Sequence, residues 1–139
     1  MSTHFTGEGN IGSPPEFHEF PNEQDESDPH RKIRFSVYFD NPKPTDEGFE
    51  DRGGFWASVD LWDRDAQRWS KIYQKGMRVL VSGRIVRDEW RDDADVPRVT
   101  LKIEAKRVGI LPYRIDAIAM AQRATSSAED PSALPPARS

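Results

Sequence analysis

Residues 55–90 read FWASVDLWDRDAQRWSKIYQKGMRVLVSGRIVRDEW, and this stretch decides how the chain folds. It contains all four tryptophans, Trp56, Trp62, Trp69 and Trp90, and seven of the twenty Lys and Arg. Alternation places Trp56, Ser58, Asp60 and Trp62 on one face of a strand, and Phe55, Ala57, Val59 and Leu61 on the other. The wholly apolar face belongs in a core, which leaves two indoles looking outward. Large apolar groups exposed together mark a binding surface.

Beyond that strand, Asp63 is placed to cap a helix running to about Lys75, with Ala66, Trp69, Ile72 and Tyr73 on its inner stripe and Gly76 as its stop. Trp69 is thereby assigned to core packing. Met77 to Ser82 is a short apolar strand that Gly83 bends, and residues 84–90 continue it. Arg84 and Trp90 share a face by alternation, and Arg87 joins them only if the strand bends or bulges. After an acidic hairpin tip at 91–97, residues 98–107 alternate again. Val99, Leu101, Ile103 and Ala105 point inward, and Arg98, Thr100, Lys102, Glu104 and Lys106 outward.

Toward the N-terminus, residues 31–39 form a strand with Ile33, Phe35, Val37 and Phe39 inside and Lys32, Arg34, Ser36 and Tyr38 outside. Residues 3–12 read as an opening strand. Residues 16–20, EFHEF, form a short strand whose Phe17 and Phe20 break strict alternation. Residues 40–54 form a long hairpin-type loop that offers Lys43, Phe49 and Arg52 as contacts. At the other end, 113–123 has the pattern of a short helix, and 124–139, rich in Ser, Ala and Pro, of a flexible, disordered tail. About five main strands with one helix between the third and fourth point to a small closed barrel over an open sheet.

The bulk properties agree. All eleven prolines and seven of the nine glycines lie outside 55–90, as expected for a compact middle with loop-rich ends. There is no run of apolar residues long enough to span a membrane, no secretory leader pattern and no cysteine. A cytoplasmic protein is expected. The net charge of −4 is unevenly spread, with an acidic first thirty residues and a basic excess over 31–123. Local potential, rather than the total, attracts phosphates.

The order GNIG, PPEF, strand, long loop, FWASVDLW, helix, KGMRVLVSGRIVRDEW and RVTLKIEAKR resembles the bacterial single-stranded DNA-binding protein family over residues 3–111. Gly9-Asn10-Ile11-Gly12 with Pro15-Glu16 resembles that family's opening strand and turn. Lys75-Gly76, Val79, Val81, Gly83, Ile85 and Trp90 resemble its later strand. The resemblance implies a mainly β OB-fold, a five-stranded Greek-key barrel over residues 1–112, and a homo-oligomer with a tetramer favoured over a dimer. It also implies a nucleoid-associated location in a bacterium. The long charged loop before Phe55 leads us to expect a divergent member, of the kind carried on a mobile element. Trp56, Trp62 and Trp90 fall where the family places base-stacking aromatics. A further stacking tryptophan usual in the family has no counterpart near Lys43; Tyr38, Phe39 and Phe49 are the candidates to replace it. The family's acidic, aromatic-tipped tail is also missing from PSALPPARS, so docking of replication or repair proteins is not expected through such a tip.

Single-stranded DNA is the expected partner, held by base stacking on Trp56, Trp62 and Trp90 with Tyr38 beside them. Arg34, Lys43, Arg84, Arg87 and Lys102 are the candidates for phosphate contacts. The expected role is sequence-independent protection during replication, recombination, repair or conjugal transfer. The alternatives are an OB-type RNA-binding or primosome-like adaptor, and a module that buries Trp56 and Trp62 between subunits. Catalysis is not expected, and neither a metal nor a cofactor is. His4, His18 and His30 lack metal spacing, no phosphate-binding glycine loop is present, and the carboxylate pairs lie on loop tips.

Overall fold

The computed structural model describes residues 3–122. Strand β1 is His4–Ile11, β2 Glu16–Phe20, β3 His30–Phe39, β4 Pro42–Thr45, β5 Gly48–Asp51, β6 Phe55–Trp62, β7 Arg78–Arg91 and β8 Pro97–Leu111; helix α1 is Ala66–Trp69. Six of the strands form one sheet in the order β1-β7-β8-β6-β3-β2, and β1 also pairs with β3. That extra pairing, Gly9 to Ile11 against Val37 to Phe39, closes β1, β7, β8, β6 and β3 into a barrel and leaves β2 appended to β3. The β6–β8 pair is parallel and the other pairs are antiparallel. The mainly β, five-stranded closed barrel expected from the alternation is what forms, with the helix between its third and fourth strands.

Alternation in β3 and β6 explains the core. Ile33, Phe35, Val37 and Phe39 meet Val59 and Leu61, and the barrel is filled by Ile11, Val79, Val81, Ile103 and Val108. Removing such side chains from water is worth about 1.5–3 kcal/mol each. The bend at Gly83 is present as a register shift between Ser82 and Gly83, where a Cβ would collide with the Glu104 carbonyl and Ala105 of β8.

Several expectations are corrected. The helix is one turn rather than three. Asp63 is not its cap; the Asp63 carboxylate accepts the Asp65 N–H at 2.8 Å, and the helix starts after Asp65. Past Trp69 the backbone tightens into three-residue bonds, Lys71 to Arg68 and Ile72 to Trp69, while the Ser70 hydroxyl donates back to the Gln67 carbonyl. Tyr73 ends this segment in the core, its ring edge-on to Phe35 and its hydroxyl donating to the Val108 carbonyl at 2.7 Å. Ile72, expected inside, is exposed, whereas Trp69 does pack on the core.

The apolar faces of β6 and β8 are also only partly buried. Val99 and Leu101 are exposed because the β7–β8 ribbon runs on beyond the barrel, pairing as far as Arg91 with Pro97, and Phe55, at the start of β6, rests on Phe5 and Phe39 with its outer side exposed. The long loop after β3 contains its own two-stranded sheet, β4 against β5. Near the end of the described chain, Pro112–Arg114 make a 3₁₀ turn. Ile115 is extended, and no helix follows through residue 122. Pro112 suits a first turn, and Arg114 bonds the Gly76 carbonyl rather than continuing a helix. The tail expected over 124–139 lies outside the described residues.

Candidate nucleic-acid interface

The polar faces of β3, β6, β8 and β7 join into one continuous outer surface. Register puts Tyr38 beside Trp56, Ser36 beside Ser58, Arg34 beside Asp60 and Lys32 beside Trp62. Asp60 then neighbours Glu104 of β8, whose Lys102, Thr100 and Arg98 lie along the same face. Val86, Asp88 and Trp90 of β7 stand opposite these three in turn, and Arg84 stands opposite Glu104. Both β6 tryptophans are exposed here, Trp56 at 61% and Trp62 at 43%. They are six residues apart on one strand, roughly 20 Å.

Between them lies a group that alternation alone assigns to solvent. Asp60 is on the outer face yet 0% exposed, because three cations cover it. Arg34 donates from Nε at 2.8 Å and Nη2 at 2.9 Å, one bond to each carboxylate oxygen. The ammonium groups of Lys32 and Lys102 reach Oδ2 at 3.1 and 3.2 Å. Burial pushes the Asp60 carboxyl up, but hydrogen bonds and charge from Arg34 and Lys32 outweigh it and hold the group at about 2. The same bonds raise the Arg34 guanidinium further. One carboxylate thus organises three cations and leaves an excess of positive charge on the sheet face.

The two ends differ. At the Trp56 end, the Tyr38 ring lies 5.3 Å away at a 56° tilt. The Trp56 ring also lies over Gly12, where a Cβ would run into it, so Gly12 is what lets the indole settle there. At the other end Trp62 meets Phe20 at 5.9 Å, His30 edge-on at 6.4 Å and the Lys32 ammonium 5.1 Å from its ring centre. Phe20 is itself exposed and stacks on His18 at 6.3 Å. Phe20 was absent from the sequence-predicted site, because its three-residue spacing from Phe17 obscured its face. The pairing of β2 with β3 restores it, with Phe20 opposite His30.

The remaining predicted residues divide. Trp90 is exposed on the shared face and donates from Nε1 to the Thr100 hydroxyl at 2.7 Å. Arg84 is on that face too, bonded to Glu104 and lining a cavity with Trp62. Arg87 is not: the register shift precedes Arg84, residues 84–91 then pair one for one, and Arg87 falls on the reverse face against Glu89 at 3.0 Å. Lys43 sits on β4 opposite Glu50, in the separate two-stranded sheet. Among the described residues no group of three or more His, Cys, Asp or Glu is arranged for a metal ion. No helix among them is long and apolar enough to cross a membrane.

Residues 4–111 match the sequence model of the Single-strand binding protein family. The chain belongs to that family. Among solved structures it is similar to the small single-stranded DNA-binding protein of Streptomyces coelicolor, with TM-score 0.58 and 18% identity, covering 79% of this chain and 94% of that one. It is similar also to the Plasmodium falciparum SSB in complex with ssDNA, with TM-score 0.60 and 17% identity, covering 80% of this chain and 96% of that one. At such identity the likeness concerns the fold, which is the OB barrel of the family. No curated protein sequence matches this chain.

Proposed function

We propose that this member of the Single-strand binding protein family binds single-stranded DNA on the outer face of β3, β6 and β8, without catalysing a reaction. The observation that carries this reading is the exposure of Trp56 and Trp62 on one strand face, on either side of the Asp60-centred cations. Every base has an apolar π-face, so indoles on a platform hold single strands whatever their sequence, while Lys and Arg follow the phosphates. Trp56, Trp62 and Trp90 are the stacking residues, with Tyr38 and Phe20 beside them. Tyr38 neighbours Trp56 directly and is the replacement for the family's further stacking tryptophan. Arg34, Lys102 and Lys32 supply the central charge, with Arg84 at the Trp62 end.

The binding unit is residues 1–112, acting in the cytoplasm on strands exposed by replication, recombination, repair or conjugal transfer. Phe55, Val99 and Leu101, exposed on the reverse face, support assembly of copies into a homo-oligomer, which sedimentation would count. The binding reading is tested by titrating the protein with dT oligomers and following tryptophan fluorescence across salt concentrations. Quenching is expected, and it should weaken with salt. Most cations here already hold carboxylates, so few phosphates are neutralised, and log K should fall against log salt with a slope of only about −1 to −2. Absence of quenching at low salt would overturn every nucleic-acid reading of this face.

A further inference from the structure

Asp88 is the platform carboxylate that the stacking and charge scheme leaves unused. It stands opposite Thr100 in the β7–β8 pair, two residues before Trp90. With Trp56, Arg34, Ser58, Thr100 and Lys102 it lines a cavity of about 220 Å³, room for a single nucleobase. Among the described residues no side chain bonds it. Its charge reaches the Arg34 guanidinium only through space, since both of that group's bonds go to Asp60. A carboxylate on a face that receives a polyanion repels phosphate, so it weakens binding unless it accepts hydrogen bonds from the ligand.

The nucleobases differ in what they offer such a group. Guanine alone carries two adjacent donors, N1–H and the N2 amino group, on the edge that single strands leave open. They match the two oxygens of one carboxylate. Adenine and cytosine place an acceptor nitrogen directly beside their amino group. Thymine flanks its one N–H with two carbonyls, so a carboxylate there faces oxygen. The guanine O6 that remains needs a donor, and Arg34 and Lys102 line the same cavity.

We infer that the cavity beside Trp56 is a guanine-preferring base subsite, in which the base stacks on the Trp56 indole and donates N1–H and N2–H to Asp88. The inference rests on single-stranded DNA being the ligand and adds a base preference to that reading. A short dT oligomer and the same oligomer with one central dG are titrated against the full chain, with a third in which deoxyinosine, lacking the N2 amino group, replaces the dG. The dG oligomer should bind at least about fivefold tighter than all-dT, with the inosine oligomer between them. In Asp88→Asn and Asp88→Ala that preference should shrink to within about twofold, while affinity for all-dT rises because a like charge has gone. Circular dichroism and thermal melting confirm that the variants fold. Equal binding of dG and dT oligomers by the native chain overturns the inference and leaves the binding reading standing. So does a preference that survives both substitutions. Failure to bind any of the three oligomers at low salt overturns both.

Discussion

The two tryptophans of β6 share a strand face and live in different company. Trp62 is hemmed by Phe20, His30 and the Lys32 ammonium. Trp56 has Tyr38 on one side and an open cavity on the other. Both ends are tied to the same buried carboxylate. The difference teaches that the surface pairs an indole crowded by other aromatics with a more open one, joined through Asp60. A ligand base should gain more at the open end, where the indole is freer to be covered.

The largest effect should come from breaking the join. Asp60→Asn leaves Lys32 nearly buried without its carboxylate, and denaturant unfolding should show a loss on the order of 3 kcal/mol. Acid gives a related, slightly smaller effect. The folded Asp60 carboxyl titrates at about 2, below the unfolded value of roughly 3.9. Its contribution of roughly 2–3 kcal/mol is therefore fully present above about pH 4 and is lost as pH falls through about 2. Melting curves between those limits should show this slope in the native chain and its loss in Asp60→Asn.

How much of this was legible in the chain beforehand depends on what each part rests on. Alternation in residues 31–39 and 55–62 is a local signal, and it located the core face, the outward tryptophans and the barrel. The burial of Asp60 was hidden because it needs cations from two other strands, Lys32 and Arg34 of β3 and Lys102 of β8. The available hint was charge complementarity: a lone acid on the polar face of 55–62, with Lys32 and Arg34 on the polar face of 31–39 and Lys102 on that of 98–107. The side on which Arg87 falls depended on which side of it the bulge lies, a matter of pairing register. The helix was overextended because periodicity does not register the Ser70 back-bond or the Tyr73 anchor on Val108.

Two smaller effects sharpen the comparison of the ends. For single-strand-binding OB folds as a class, losing an aromatic weakens binding by about 1–3 kcal/mol per stacked base. Trp56→Ala should fall near the middle of that range, roughly 2 kcal/mol, and Trp62→Ala near its floor, roughly 1 kcal/mol, because Phe20 stays to cover the base. Equal losses in fluorescence-anisotropy titrations would contradict the asymmetry. Lys43→Ala, on the separate β4–β5 sheet, should change affinity by less than about 0.5 kcal/mol, the scale of an ordinary surface substitution.

The central claim is that Trp56 belongs to the ligand and Trp69 to the core. Two proteins in which phenylalanine replaces every tryptophan but one, keeping either Trp56 or Trp69, test it directly by fluorescence titration with single-stranded DNA. The account predicts strong quenching of the Trp56 protein and a silent Trp69 signal at the same saturation. Quenching of Trp69 with Trp56 silent would contradict it.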